Sequence, residues 1–136
     1  MPTIKHFEDI YTWKKARELA VLVHKITEQG PFAKDTSLKN QIRRAAVSVM
    51  SNIAEGFESQ TQAQFVQYLG HAKSNAGEVR SLLIIASDYQ YLTKEQFELA
   101  LHIANKVIRQ STLFMEYLES HPESRRKSDE GVEYMV

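Results

Sequence analysis

The sequence predicts an all-α fold, an antiparallel up-down-up-down four-helix bundle, on three observations. The chain holds only five glycines and three prolines in 136 residues, and Pro2, Pro31 and Pro122 all lie outside positions 32 to 121, so no proline interrupts a helix there. Apolar residues recur every three or four positions in four separate stretches, as one buried helical stripe requires. The intervals near 29 to 35, 58 to 61 and 90 to 93 are too short to return the chain to its starting end, so successive helices run antiparallel.

The first helix reads from about Asp9 to Glu28, with Trp13 as a core anchor and Ala16, Ala20, Val23 and Ile26 or Thr27 continuing its stripe. Gly30-Pro31 ends it. Asp35 or Thr36 caps the second helix, which carries Leu38, Ile42, Ala45, Val49 and Ile53 up to Gly56. Thr61 followed by Gln64 is a capping box that opens the third. Its Phe65, Leu69, Ala72, Ala76, Val79, Leu83 and Ala86 alternate spacings of four and three, the clearest heptad in the chain. Thr93 and Gln96 repeat the box ahead of Phe97, Leu101, Ala104, Ile108, Met115 and Leu118, with Ser111 at the missing position, and the fourth helix ends by His121-Pro122. Residues 1–119 thus form a single four-helix-bundle domain. Residues 120–136 read as a polar mobile tail, because Arg125-Arg126-Lys127 and then Asp129, Glu130 and Glu133 follow one another without periodicity.

Seventeen basic residues balance seventeen acidic ones, which argues against a generic polyanion binder, since nonspecific nucleic-acid affinity scales with the phosphates neutralised. The absence of cysteine excludes a disulfide framework, a zinc-thiolate site and a thiol nucleophile, and fits a reducing compartment. Met1 to Phe7 lacks the apolar stretch of a secretory signal, and the uncharged run Ala45 to Ala54 is far shorter than a membrane span. A cytoplasmic protein with no membrane association is expected. Bundle di-metal sites use Glu-x-x-His pairs, and none occurs; Glu98 and His102 have the spacing of a surface pair. Glycine-rich phosphate loops, nucleophile elbows and His-Glu-x-x-His are also missing. The expectation is therefore no catalytic residue, no cofactor, no metal and no small-molecule substrate.

Two helices carry a second stripe opposite their core stripe. On the third, Gly70, Ser74, Gly77 and Ser81 are spaced four, three and four. Each interior glycine lowers helix stability by about 1 kcal/mol relative to alanine, and close approach by another helix is a sufficient reason to tolerate that cost. Leu82-Leu83-Ile84-Ile85 follows, and one core stripe cannot bury both Ile84 and Ile85. On the second helix, Ala45 to Ala54 runs almost three turns without charge, and the outer line Arg44, Ser48, Ser51 and Glu55 repeats the spacing. Arg44 and Glu55 are about 16 Å apart along the axis, so a partner for either would come from elsewhere, with Glu78 and Arg80 as candidates. Val47, Met50, Ala54, Ile84 and Ile85 could be ordinary scattered surface residues. Burial of the four large ones would contribute roughly 6 to 12 kcal/mol per subunit, comparable with the cost of association. Self-association through the second and third helices is the expectation.

Phe7 to Trp13, Gln41 to Val49, Ser51-Asn52-Ile53-Ala54-Glu55-Gly56 and Tyr91-Leu92 give the chain a resemblance, over about residues 7 to 119, to bacterial four-helix-bundle proteins first noted in intervening sequences of 23S ribosomal RNA genes. The resemblance implies a bundle without known catalysis that closes into a homopentameric ring. It also implies that relatives bind nucleic acid through a basic barrel as accessory subunits of a reverse transcriptase, while the role of most members is unknown. Two departures stand out: Met50 where the family often has proline, and Phe57-Glu58-Ser59-Gln60-Thr61 where a basic turn is common.

Two functional expectations follow. The first is a non-enzymatic oligomeric adaptor for a protein or ribonucleoprotein. The alternative is an RNA binder that contacts phosphates through Lys34 in the loop, Lys39 and Arg43 on the second helix, and Lys73 and Arg80 on the third. A ring would concentrate several copies of these cations into one positive zone.

Overall fold

The computed structural model describes residues 3–136. Four long helices dominate it: α1 (Tyr11–Ile26), α3 (Thr36–Phe57), α4 (Gln62–Asp88) and α5 (Lys94–Ser120), with a short α2 (Gly30–Lys34) between the first two. Three strands, β1 (Thr3–Ile4), β2 (Arg125–Ser128) and β3 (Gly131–Met135), form a small antiparallel sheet in the order β1-β3-β2. Single 3-10 turns lie at Phe7–Asp9 and Pro122–Ser124. No helix among the described residues is long and apolar enough to cross a membrane.

The helix starts follow the side chains that can satisfy free amides. Asp35 Oδ1 accepts from the Leu38 amide at 3.1 Å, while its Oδ2 accepts from the Tyr91 hydroxyl at 2.9 Å. One carboxylate therefore caps α3 and ties it to the turn after α4. Thr61 with Gln64 and Thr93 with Gln96 form both halves of their capping boxes, each cap contributing about 1 kcal/mol. Gly30-Pro31 lies at the start of α2 instead of in a loop, since proline is suited to the first turn of a helix, where its missing amide costs nothing. Phe32 of α2 is fully buried and stacks obliquely on Tyr91.

Around the bundle, α3 packs against α1 and α4, and α5 against α4 and α1. One apolar cluster joins Trp13, Val49, Ile53, Phe57, Phe65, Leu69 and Leu118; the other joins Val23, Ile26, Leu38, Ile42, Val79, Leu83 and Ala100. The start of each long helix is thus packed with the end of the next. Gly56 sits at a close approach of α3 to α4: a Cβ there would lie 2.7 Å from Tyr68 Cβ and 2.8 Å from Phe65 Cδ1.

The stripe expected on α4 is the set of residues it buries. On α5 the buried line is Ala100, Ala104, Val107, Ser111 and Leu118, whereas Phe97, Leu101, Ile108 and Met115 are only half-buried. The small alanines face the centre and the larger side chains fill the flanks toward α1 and α4. On α1, Leu19 is fully buried and Ala20 is not.

The largest departure from the sequence reading concerns residues 120–136. In place of an aperiodic tail there is a hairpin, in which Arg125 pairs with Tyr134 and Ser128 with Gly131, and Thr3 and Ile4 add a strand on the far side of β3. Tyr134 is fully buried, its ring centroid 4.9 Å from that of Phe65 and 5.7 Å from that of Phe57. Tyr117 donates its hydroxyl hydrogen bond to the Met135 carbonyl. The division at 119/120 therefore gives way to one body whose two ends are paired across β3. The apolar alternation Val132, Tyr134 and Val136 supplies the inward face. The basic triplet divides likewise: Arg125 is half-buried and donates to the Ser59 carbonyl, while Arg126 and Lys127 are exposed.

Candidate interaction surfaces

The outer lines of α3 and α4 lie side by side. Gln41, which continues the line Arg44, Ser48, Ser51 and Glu55 toward the start of α3, donates to Glu78 of α4 at 3.4 Å. Glu78 in turn lies beside Ser74, Gly77 and Ser81, so the small residues of both helices border one surface. Arg44, Ser51, Glu55, Ser74 and Ser81 are exposed, and Ser48, Gly70 and Gly77 half-buried. Arg44, Glu55 and Arg80 make no ion pair among the described residues.

The apolar members of this surface divide into two groups. Met50 and Ala54 pack partly on the cluster around Phe57, and Ile85 on the cluster around Leu83, so the protomer accounts for much of their surface. Val47 and Ile84 remain 52% and 47% exposed. The glycines differ as well. A Cβ on Gly70 would meet Met115 Cε at an ordinary 3.6 Å, whereas one on Gly77 would meet nothing within 4 Å. Nothing inside the protomer requires glycine at position 77.

The five cations expected to contact phosphates are not gathered in one chain. Arg43 turns toward α1, where its Nε donates to Thr27 Oγ1 at 2.7 Å and its Nη2 to the His24 carbonyl at 3.2 Å. It therefore serves as a clip on the last turn of α1, whose carbonyls favour a cation. Lys39 lies one turn earlier on the same side of α3 and is half-buried. Lys73 and Arg80 share the stripe of α4 that begins with Gln62, whose side chain donates to the Leu118 and His121 carbonyls at the end of α5. They are thus on the α5 flank, away from Arg43. Lys34 is exposed at the end of α2.

A second uncovered surface, which the sequence reading passed over, runs between α1 and α5. Val21 and Leu22 of α1 with Leu99 and Ile103 of α5 line a groove of ≈ 720 Å³ that extends to Tyr11. Tyr11, Val21 and Leu99 are each about half exposed. The spacing Tyr11, Lys14, Glu18, Val21, Lys25 was visible as a second line on α1, but its floor is completed only by α5. Among the described residues no group of three or more histidines and carboxylates is placed to hold a metal ion.

The architecture is shared with a solved protein. The crystal structure of a protein with unknown function from the S23 ribosomal protein family of Bacteroides thetaiotaomicron VPI-5482 superimposes with a TM-score of 0.71 at 24% identity, over 77% of this chain and 95% of that one. At that identity the likeness concerns the fold. No curated protein matches the chain. The family described as 23S rRNA-intervening sequence protein matches residues 8–112, a span that takes in α1 to α4 and most of α5 and leaves the three strands outside it. With more than half of its length matched, including both small-residue lines, the chain belongs to the family of 23S rRNA-intervening sequence proteins.

Proposed function

We propose that this protein is a non-enzymatic interaction protein of the cytoplasm, an up-down-up-down four-helix bundle that self-associates through α3 and α4 into a homopentameric ring and presents that ring to a protein or ribonucleoprotein. The observation that carries the reading is Gly77. An interior helical glycine with open space around it costs about 1 kcal/mol relative to alanine; Ile84, seven residues on along the same side of α4, is exposed, as is Val47 on the outer side of α3. Close approach by a second copy supplies the missing reason for all three. The number five rests on the family resemblance. A closed ring joins two different patches of neighbouring copies, so the α3–α4 face meets another face of the next protomer. Native mass spectrometry at micromolar concentration tests the reading. The expected species has five times the 15.7 kDa chain mass, and a protein that remains monomeric overturns it.

A further inference from the structure

We propose that the groove between α1 and α5 receives an acidic amphipathic helix of a partner protein. Its floor is aliphatic, from Val21, Leu22, Leu99 and Ile103, and its walls carry Lys14, Lys15, Arg17 and Lys25 against a single acid, Glu18. Glu18 is spent on Lys15, 2.8 Å away, so Lys14, Arg17 and Lys25 have no carboxylate among the described residues. Lys106 and Arg109 extend the positive rim along α5 toward Leu113. From Tyr11 to Lys25 the groove follows about 21 Å of helix, four turns, which suits a partner helix of about 14 residues. Such a helix places i, i+3, i+4 and i+7 anchors on the floor and its carboxylates against the rim.

The floor also decides between classes of partner. Nucleic acid would use the cations, but it has no aliphatic face to bury against Val21 and Leu99. The one aromatic ring, Tyr11, has the ammonium groups of Lys15 and Lys106 each 5.6 Å from its centroid, where they compete with a stacked base for the ring. This inference concerns the face opposite α3 and α4, and it requires that in the proposed ring the next copy meet a face other than this groove.

The test uses the full chain and a fluorescein-labelled peptide of about 18 residues, with leucine at i, i+3, i+4 and i+7 and glutamate on the flanks. Fluorescence anisotropy is expected to show saturable binding that weakens by about tenfold or more, roughly 1.4 kcal/mol, for a peptide of the same composition with its leucines scattered. Val21→Asp and Leu99→Asp, both at exposed positions that leave the core intact, are expected to weaken binding by a similar factor with no change in oligomer mass. Lys14→Glu with Arg17→Glu should do the same. No saturable binding, or equal binding by the scattered peptide or by the variants, overturns the proposal. So does an RNA hairpin that binds through these residues where the peptide does not. Dissociation of the assembly by Val21→Asp would assign the groove to a second copy, and would also overturn it.

Discussion

Replacing Gly77 with leucine is expected to reduce the assembly to single protomers while each protomer stays folded. Inside the chain the added side chain meets open space, and leucine is the better helix former by almost 1 kcal/mol. Thermal unfolding of the dissociated variant should therefore show no loss of intrinsic stability. Across the proposed contact, the same side chain forces the helices apart at a cost of about 1 to 3 kcal/mol, repeated at every joint of the proposed ring. Sedimentation velocity gives the mass. An assembly unchanged by leucine at position 77 would place the contact elsewhere. Position 77 separates the two effects because its cost lies outside the protomer; at Gly56 the obstruction comes from Tyr68 and Phe65 of the same chain.

Replacing Tyr134 with alanine is expected to lower the unfolding free energy by about 3 to 5 kcal/mol, the usual cost of deleting a large buried aromatic ring, as measured by urea denaturation. The ring seals the end of the bundle against Phe57 and Phe65, so the loss falls on the core and not on the hairpin alone. Tyr134→Phe is the control: Arg125 lies near the buried hydroxyl but makes no well-formed hydrogen bond to it, and removing the hydroxyl should cost little. Burial pushes the Tyr134 hydroxyl above its ordinary value of 10.0, with the charge of Arg125 opposing the shift. The folded chain therefore holds this proton more tightly than the unfolded one. Its contribution is present in full below pH 10.0 and is lost as pH rises through the higher folded value. A stability unchanged by alanine would mean that the hairpin is not docked.

What was legible in the sequence follows from how local each signal is. The α4 stripe from Phe65 to Ala86 and the two Thr/Gln boxes need only their own helix, and they are placed as read. The outer lines on α3 and α4 are legible for the same reason, since spacing alone puts Ser48 with Ser51 and Ser74 with Gly77. The stripe of α5 was displaced because two flanking helices share its surface: Leu101 and Ile108 fill the sides while Ala100 and Ala104 face the middle. Tyr134 depends on Phe57 and Phe65, far away in the chain, and its strand was obscured by the surrounding charges. Arg43 has the look of a free surface cation until α1 brings the His24 carbonyl to it. The groove is less legible still, because half its floor comes from α1 and half from α5, far apart in the chain.

The central claim is that the α3–α4 face is covered by another copy, and the absence of native cysteine allows that to be measured directly. Ser74→Cys places a thiol on the face, and Ser128→Cys places one on the exposed β2 strand. At concentrations where the protein assembles, maleimide should label the first roughly tenfold or more slowly than the second, corresponding to about 1.4 kcal/mol of protection. Dilution, or the added change Gly77→Leu, should bring the two rates together. Equal labelling of both thiols at every concentration would contradict the claim.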